Sequence, residues 1–141
     1  MSMNMSKAER EAYLSELHVG VISIEMAGHA PLATPIWYDY KPGVGLWILT
    51  NPHSKKGKAL EAAGRFTLVA QNEAAPLYKY VSVSGPVTEV RPCTESENLA
   101  MAMRYFDEAT AKAYAASVDV DTSNYYLMQP DQWLTLDYSK M

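Results

Sequence analysis

Short runs of apolar, β-branched and aromatic residues, separated by Gly, Pro, Asn and Asp, set the pattern along this chain. That pattern predicts strands joined by short connections, with a few helices between them. Ser6-Lys7-Ala8-Glu9 is a capping box and opens a short helix over about Ser6 to Leu17, with Ala8, Tyr13, Leu14 and Leu17 near one face. Val19 to Ile24 reads as a strand, Gly28-His29 as a turn, and Leu32 to Tyr40 as a second strand. Pro35 lies within that second strand, where its missing N–H requires an edge or a gap in the ladder and leaves backbone groups that a ligand can use. Lys41 to Gly45 is a hairpin connection, and Leu46 to Thr50 is apolar nearly throughout, as a central strand is.

A helix then runs to about Ala63 and is stopped by Gly64. Phe66 to Ala70 and the long run Tyr78 to Val90 are strands, with Asn72 to Leu77 as a polar loop between them. In the long strand Tyr78, Tyr80, Ser82 and Ser84 alternate with Lys79, Val81 and Val83, and Gly85-Pro86 predicts a bulge or bend at a barrel corner. Thr94-Glu95-Ser96-Glu97 is a second capping box. Its helix carries Leu99, Met101, Met103 and Phe106 on a stripe suited to core or dimer packing. A second helical piece covers about Ala109 to Ser117, a polar loop Asp119 to Asn124, and the last strands are Tyr125 to Gln129 and Trp133 to Asp137. The expected class is mainly β: a small barrel of about six or seven mostly antiparallel strands with peripheral helices, in a single domain over residues 1–141.

Composition narrows the functions. The 141 residues carry a net charge of −4, which argues against nucleic-acid binding, since that needs a basic face. Cys93 is the sole cysteine, so there is no internal disulfide and no CxxC metal site; between Pro92 and Thr94 it reads as an incidental loop thiol. His18, His29 and His53 are widely spaced and form no metal-binding pair. No apolar run has the length of a membrane span and no apolar leader opens the chain, so the expected compartment is the cytoplasm, with no membrane partner.

One stretch carries candidate chemistry. Thr50-Asn51-Pro52-His53-Ser54-Lys55-Lys56-Gly57-Lys58-Ala59-Leu60 passes from a strand into a helix. Helix starts offer unpaired N–H groups and positive potential, and here Ser54 adds a hydroxyl and Lys55, Lys56 and Lys58 add charge. Two readings stand on these residues alone: a phosphate seat, or a solvated helix start. Beside it, Trp37 reads either as a wall for a flat ring or as a core residue. No nucleophile–base pair stands out and no catalytic side chain is identified, so an enzyme built this way leaves the chemistry to a cofactor.

Taken in order, Pro31-Leu32-Ala33-Thr34-Pro35-Ile36-Trp37-Tyr38, the strand ending at Thr50, Ser54 to Leu60, Gly64 to Leu68 and Tyr80-Val81-Ser82-Val83-Ser84-Gly85 resemble the pyridoxamine 5′-phosphate oxidase-like superfamily. Within it the chain looks most like the flavin/deazaflavin (F420) oxidoreductase branch. The resemblance covers about Ser6 to Val90 and returns weakly in the final strands. It implies the FMN-binding split β-barrel and a homodimer with cofactor sites at the subunit interface. It places the cofactor phosphate on Ser54, Lys55 and Lys56, with Thr50 and Lys58 beside them, the ring along Thr34, Pro35, Ile36 and Trp37, and Tyr80 nearby. The chain departs from the family pattern at Ala59, where Asn is common, at Ala63-Gly64-Arg65 in place of Asp-Pro-Arg, and on the second strand, which lacks the arginines that hold FMN phosphate. The C-terminal arginine–histidine pattern of vitamin B6 oxidation is missing too. The resemblance therefore implies an oxidoreductase that uses coenzyme F420 to transfer a hydride to a small electron-poor organic acceptor. An FMN-dependent oxidoreductase of the same fold is the first alternative, and a non-catalytic binder of flavin, F420 or haem the second.

Overall fold

Proline, glycine and buried tyrosine decide where the strands begin, bend and end. The computed structural model describes residues 2–117 and 122–141; part of the expected loop Asp119 to Asn124 lies outside them. The elements are α1 (Lys7–Ser15), β1 (Gly20–Ile24), β2 (Leu32–Ile36), β3 (Asp39–Lys41), β4 (Gly45–Thr50), α2 (Lys55–Ala63), β5 (Arg65–Asn72), β6 (Lys79–Pro92), α3 (Glu95–Tyr105), α4 (Glu108–Ser117), β7 (Asn124–Met128) and β8 (Gln132–Asp137). A 3₁₀ turn, Tyr138–Lys140, follows. No helix among the described residues is long and apolar enough to cross a membrane.

The strands run side by side in the order β2-β1-β5-β6-β7-β4-β3, and β8 pairs with β6. Every pairing is antiparallel. The two ends of this path, β2 and β3, are consecutive in sequence, so the sheet curls into a barrel whose seam is one bent stretch of chain. Pro35 sits in the terminal strand β2, opposite Val21 of β1, and an edge strand is where proline is tolerated within a sheet.

The expected single strand Leu32 to Tyr40 is therefore two strands. The break falls at Trp37-Tyr38 because Tyr38 is held elsewhere. Its side chain is fully buried, its hydroxyl donates to the Leu14 carbonyl at 2.7 Å, and its N–H donates to the Tyr105 hydroxyl at 3.2 Å. Ile22, Ile24, Leu46, Ile48, Leu68, Val81, Val83 and Met128 fill the barrel with it, and Leu14 of α1 closes one end. The α1 capping box forms with both of its bonds. The helix ends at Ser15, however, so Leu17 lies beyond it and is exposed.

In β6, residues 79–84 pair with β8 and residues 87–92 with β7. Gly85-Pro86 is the point where the strand changes partner, and a register shift follows between Val87 and Glu89. In α3 the buried stripe is Asn98, Met101 and Ala102, while Met103 is exposed. Of the expected stripe Leu99, Met101, Met103 and Phe106, Met101 is buried, Leu99 and Phe106 are half-buried and Met103 faces out. Tyr105, on the Asn98 stripe, stacks on Trp37 with ring centroids 4.8 Å apart, and Phe106 and Tyr114 complete the aromatic cluster.

Candidate functional site

The turn before α2 is built by Asn51. Its carbonyl accepts the Ser54 N–H at 3.1 Å and the Ser54 hydroxyl at 2.6 Å, and its side-chain oxygen accepts the His53 N–H at 2.8 Å. Ser54 is the N-cap: its hydroxyl accepts the Gly57 N–H at 3.1 Å. Lys58 N–H donates to the Ser54 carbonyl at 2.9 Å. That leaves the N–H groups of Lys55 and Lys56, the first two of the helix, with no intrahelical acceptor. Gly57 allows the turn to sit this close, because a Cβ there would lie 2.6 Å from Pro52 Cα and overlap the Asn51 carbonyl.

These groups face a groove of about 880 Å³. One wall is the β1–β2 connection and β2, from Met26 and His29 to Ala33 and Thr34; the other is Thr50, Ser54, Lys55 and Lys56. Both lysines line it and, among the described residues, no carboxylate does, which makes this lining positive on a chain of net charge −4. Neither lysine joins any of the ion pairs among the described residues. Partial burial holds the Lys56 ammonium below the usual lysine range, since water is withdrawn and no counter-charge replaces it. Across the groove, the buried Thr34 Oγ1 has no hydrogen-bond partner, a deficit worth about 1–3 kcal/mol. A half-desolvated ammonium, two free N–H groups and an unpaired hydroxyl around one cavity match the acceptor oxygens of a phosphate or another anion.

The other sequence-derived site residues are placed as follows. Ser54 lines the groove, but its hydroxyl proton is committed to Asn51, so it orients the helix start rather than offering a free donor. Pro35 faces outward and is exposed. Ile36 and Trp37 line a second, smaller cavity of about 190 Å³ beneath α3 and α4, together with Leu49 and Asn98. Lys58 is exposed on α2, and Tyr80 is half-buried on the outer face of β6. His53 is exposed and stands outside the groove lining. His29, expected in a turn, is exposed and also lines the groove; a histidine beside a turn glycine carries no signal of that. Among the described residues no group of three His, Cys, Asp or Glu side chains is arranged to hold a metal ion.

No family model matches the chain, and no curated protein matches it. Solved structures do. A conserved hypothetical protein of Mycobacterium tuberculosis superposes with a TM-score of 0.78 at 19% identity, over 99% of this chain and 90% of that one. An F420 reductase superposes with a TM-score of 0.73 at 18% identity, over 88% and 94%. A FAD-binding protein of Mesorhizobium loti superposes with a TM-score of 0.69 at 18% identity, over 95% and 96%. At these identities the likeness concerns architecture: the chain has the pyridoxamine 5′-phosphate oxidase-like split β-barrel fold.

Proposed function

We propose that this chain binds a phosphate-bearing, flavin-type cofactor in the Thr34–Lys56 groove and works as an F420-dependent oxidoreductase on a small electron-poor organic acceptor. The observation that carries the reading is Lys56, half-buried in a groove lined, among the described residues, by two lysines and no carboxylate. The N–H groups of Lys55 and Lys56 point the helix dipole at the same spot, and Ser54 and Gly57 hold them there. Thr34 and Thr50 supply polar edges along the strands. When bound, the reduced deazaflavin supplies a hydride to the acceptor. The F420 reductase and the FAD-binding protein of the same fold support a flavin-type ligand without choosing one. Ala33-Thr34-Pro35-Ile36 offers no cation for a second phosphate contact, which favours F420 over FMN.

Titrating the purified protein with F420 and FMN side by side tests this. Saturable quenching of F420 fluorescence at lower concentration than FMN binding is the expected result, with reoxidation of reduced F420 by an added enone or quinone. Tighter binding of FMN transfers the reading to an FMN-dependent enzyme. Binding without turnover leaves a cofactor carrier, and binding of neither removes the proposal.

The same reading includes a homodimer. The outer faces of β1, β2, β5 and β8, with β6 up to Ser84, carry a single charged side chain, Arg65 at the start of β5; the rest are Val21 and Ser23, Ala33 and Pro35, Thr67, Val69 and Gln71, Tyr80, Ser82 and Ser84, then Gln132, Leu134 and Leu136. Register aligns Pro35, Val21, Val69, Ser82 and Leu134 in one row across five strands, and Leu134 is 63% exposed. A second copy of the chain is the occupant we assign to this face, and Tyr80 then reaches a cofactor only from a partner's side. Light scattering is expected at twice the 15.7 kDa chain mass, with Leu134→Glu shifting the protein towards monomer. Wild-type protein at 15.7 kDa would remove the dimer.

A further inference from the structure

The small cavity beneath α3 and α4 holds a group that neither packing nor the groove explains. Asn98 occupies a position on the buried stripe of α3, beside Met101 and Ala102. Its residue exposure is 7%, and its side-chain nitrogen Nδ2 is buried with no hydrogen-bond partner. Leucine at this position would fill similar space with no polar atom to satisfy. Native interiors pair such groups, and an unpaired one calls for a specific reason. The amide lines a cavity of about 190 Å³ whose other walls include Ile36, Trp37, Leu49, Met101 and Tyr114. Among the described residues no charged side chain lines it, which disfavours an ionised occupant. The cavity also adjoins the groove. Thr34 of the groove and Ile36 of the cavity are two residues apart on one face of β2, roughly 7 Å along the strand. Thr50 and Leu49 are neighbours on β4.

We infer that this cavity is a second ligand site, taking a small, neutral, largely apolar molecule that bears a carbonyl oxygen, which accepts a hydrogen bond from Asn98 Nδ2. Trp37, held by its stack on Tyr105, gives such a molecule a flat wall, and Leu49 and Met101 give it apolar sides. Asn98 is then the specificity-determining residue. It selects for the oxygen, because an occupant without an acceptor leaves the amide unpaired. Naming the occupant as the acceptor of the proposed oxidoreductase rests on that reading; the site itself does not.

The test uses cofactor-free protein, so it stands whether or not the groove binds F420 or FMN. ¹⁵N-labelled wild-type protein is titrated with 2-cyclohexen-1-one and, separately, with cyclohexene, and the Asn98 side-chain amide and Trp37 indole resonances are followed. The ketone is expected to shift both saturably and to move the Asn98 amide downfield, with the hydrocarbon binding at least ten-fold more weakly. Asn98→Leu is expected to lose about ten-fold in ketone affinity and to bind the hydrocarbon no worse than wild type, while melting no lower. Ketone affinity unchanged in Asn98→Leu, or wild-type shifts confined to residues outside this cavity, would overturn the inference. Since the wild-type map needs no variant, a poorly folded Asn98→Leu does not rescue it. Loss of F420 and FMN binding in the parallel titration would count against the groove alone.

Discussion

Replacing Gly85 with alanine is expected to cost about 3–5 kcal/mol of stability, a fall of roughly 10–15 °C in melting temperature for a chain of this size. The cause is backbone against backbone. At Gly85 the β6 strand changes partner from β8 to β7, and the reversal between those two strands is pressed onto it. A Cβ at position 85 would overlap the Gln129 carbonyl oxygen and come within 2.8 Å of its carbonyl carbon. Two hydrogen bonds flank the contact. The Gln129 N–H donates to the Pro86 carbonyl at 3.1 Å, and the Asp131 N–H donates to the Ser84 carbonyl at 2.9 Å. The reversal cannot retreat from a methyl group without loosening both, and neither group has a flexible side chain to give way. Gly43→Ala is the matched control. That glycine has φ of 81° with nothing within 4 Å of an added Cβ, so alanine there meets only the left-handed backbone penalty of about 1–2 kcal/mol. Thermal or urea unfolding of the two variants measures the difference. Equal losses at the two positions would refute the role given to the Gly85 contact.

Gly85 also shows which parts of this architecture are legible in the sequence. Gly-Pro inside an alternating strand signals an interruption, and the interruption is there. What it interrupts is a choice of neighbour made by residues more than forty positions away, which local pattern does not contain. The same division holds elsewhere. Ser6, Ser54, Gly64 and Thr94 announce helix ends through bonds made within three or four residues, and those ends fall where expected. The break at Trp37-Tyr38 is decided by Leu14 and Tyr105, so a continuous apolar run reads as one strand. At the site, Lys55, Lys56 and Thr50 are close in sequence and are also close around one groove. His29 joins them through the curl of the sheet alone. Asn98 had a signal: positions 98, 101, 102 and 105 follow helical spacing, but a stripe drawn only through the apolar residues Leu99, Met101, Met103 and Phe106 passes over a polar residue on the buried side.

Replacing Lys56 with alanine is expected to weaken F420 binding by more than ten-fold, because it removes a charge-assisted contact worth ~1.5–3 kcal/mol. The cofactor-free protein should not suffer in parallel. Burial lowers the Lys56 pKa from its ordinary 10.5, while the unfolded chain keeps the ordinary value. Between the folded and unfolded values the unfolded state holds more protons, so stability rises with pH in that window. Below it, the charged side chain is a net cost to the fold. Lys56→Met, which keeps the buried stem and deletes the charge, is therefore expected to melt at or slightly above the wild-type temperature at pH 7 while losing the cofactor as Lys56→Ala does. A bound anion reverses the local balance. It restores a partner to the ammonium and draws the pKa back up, so binding takes up protons near the folded pKa, and affinity falls as pH rises through it. Lys58→Ala, exposed on the same helix, should reduce affinity far less. If Lys56→Met kept full affinity for F420 and FMN, or lost stability and affinity together, Lys56 would be a packing residue and the groove would lose the cation on which its assignment rests.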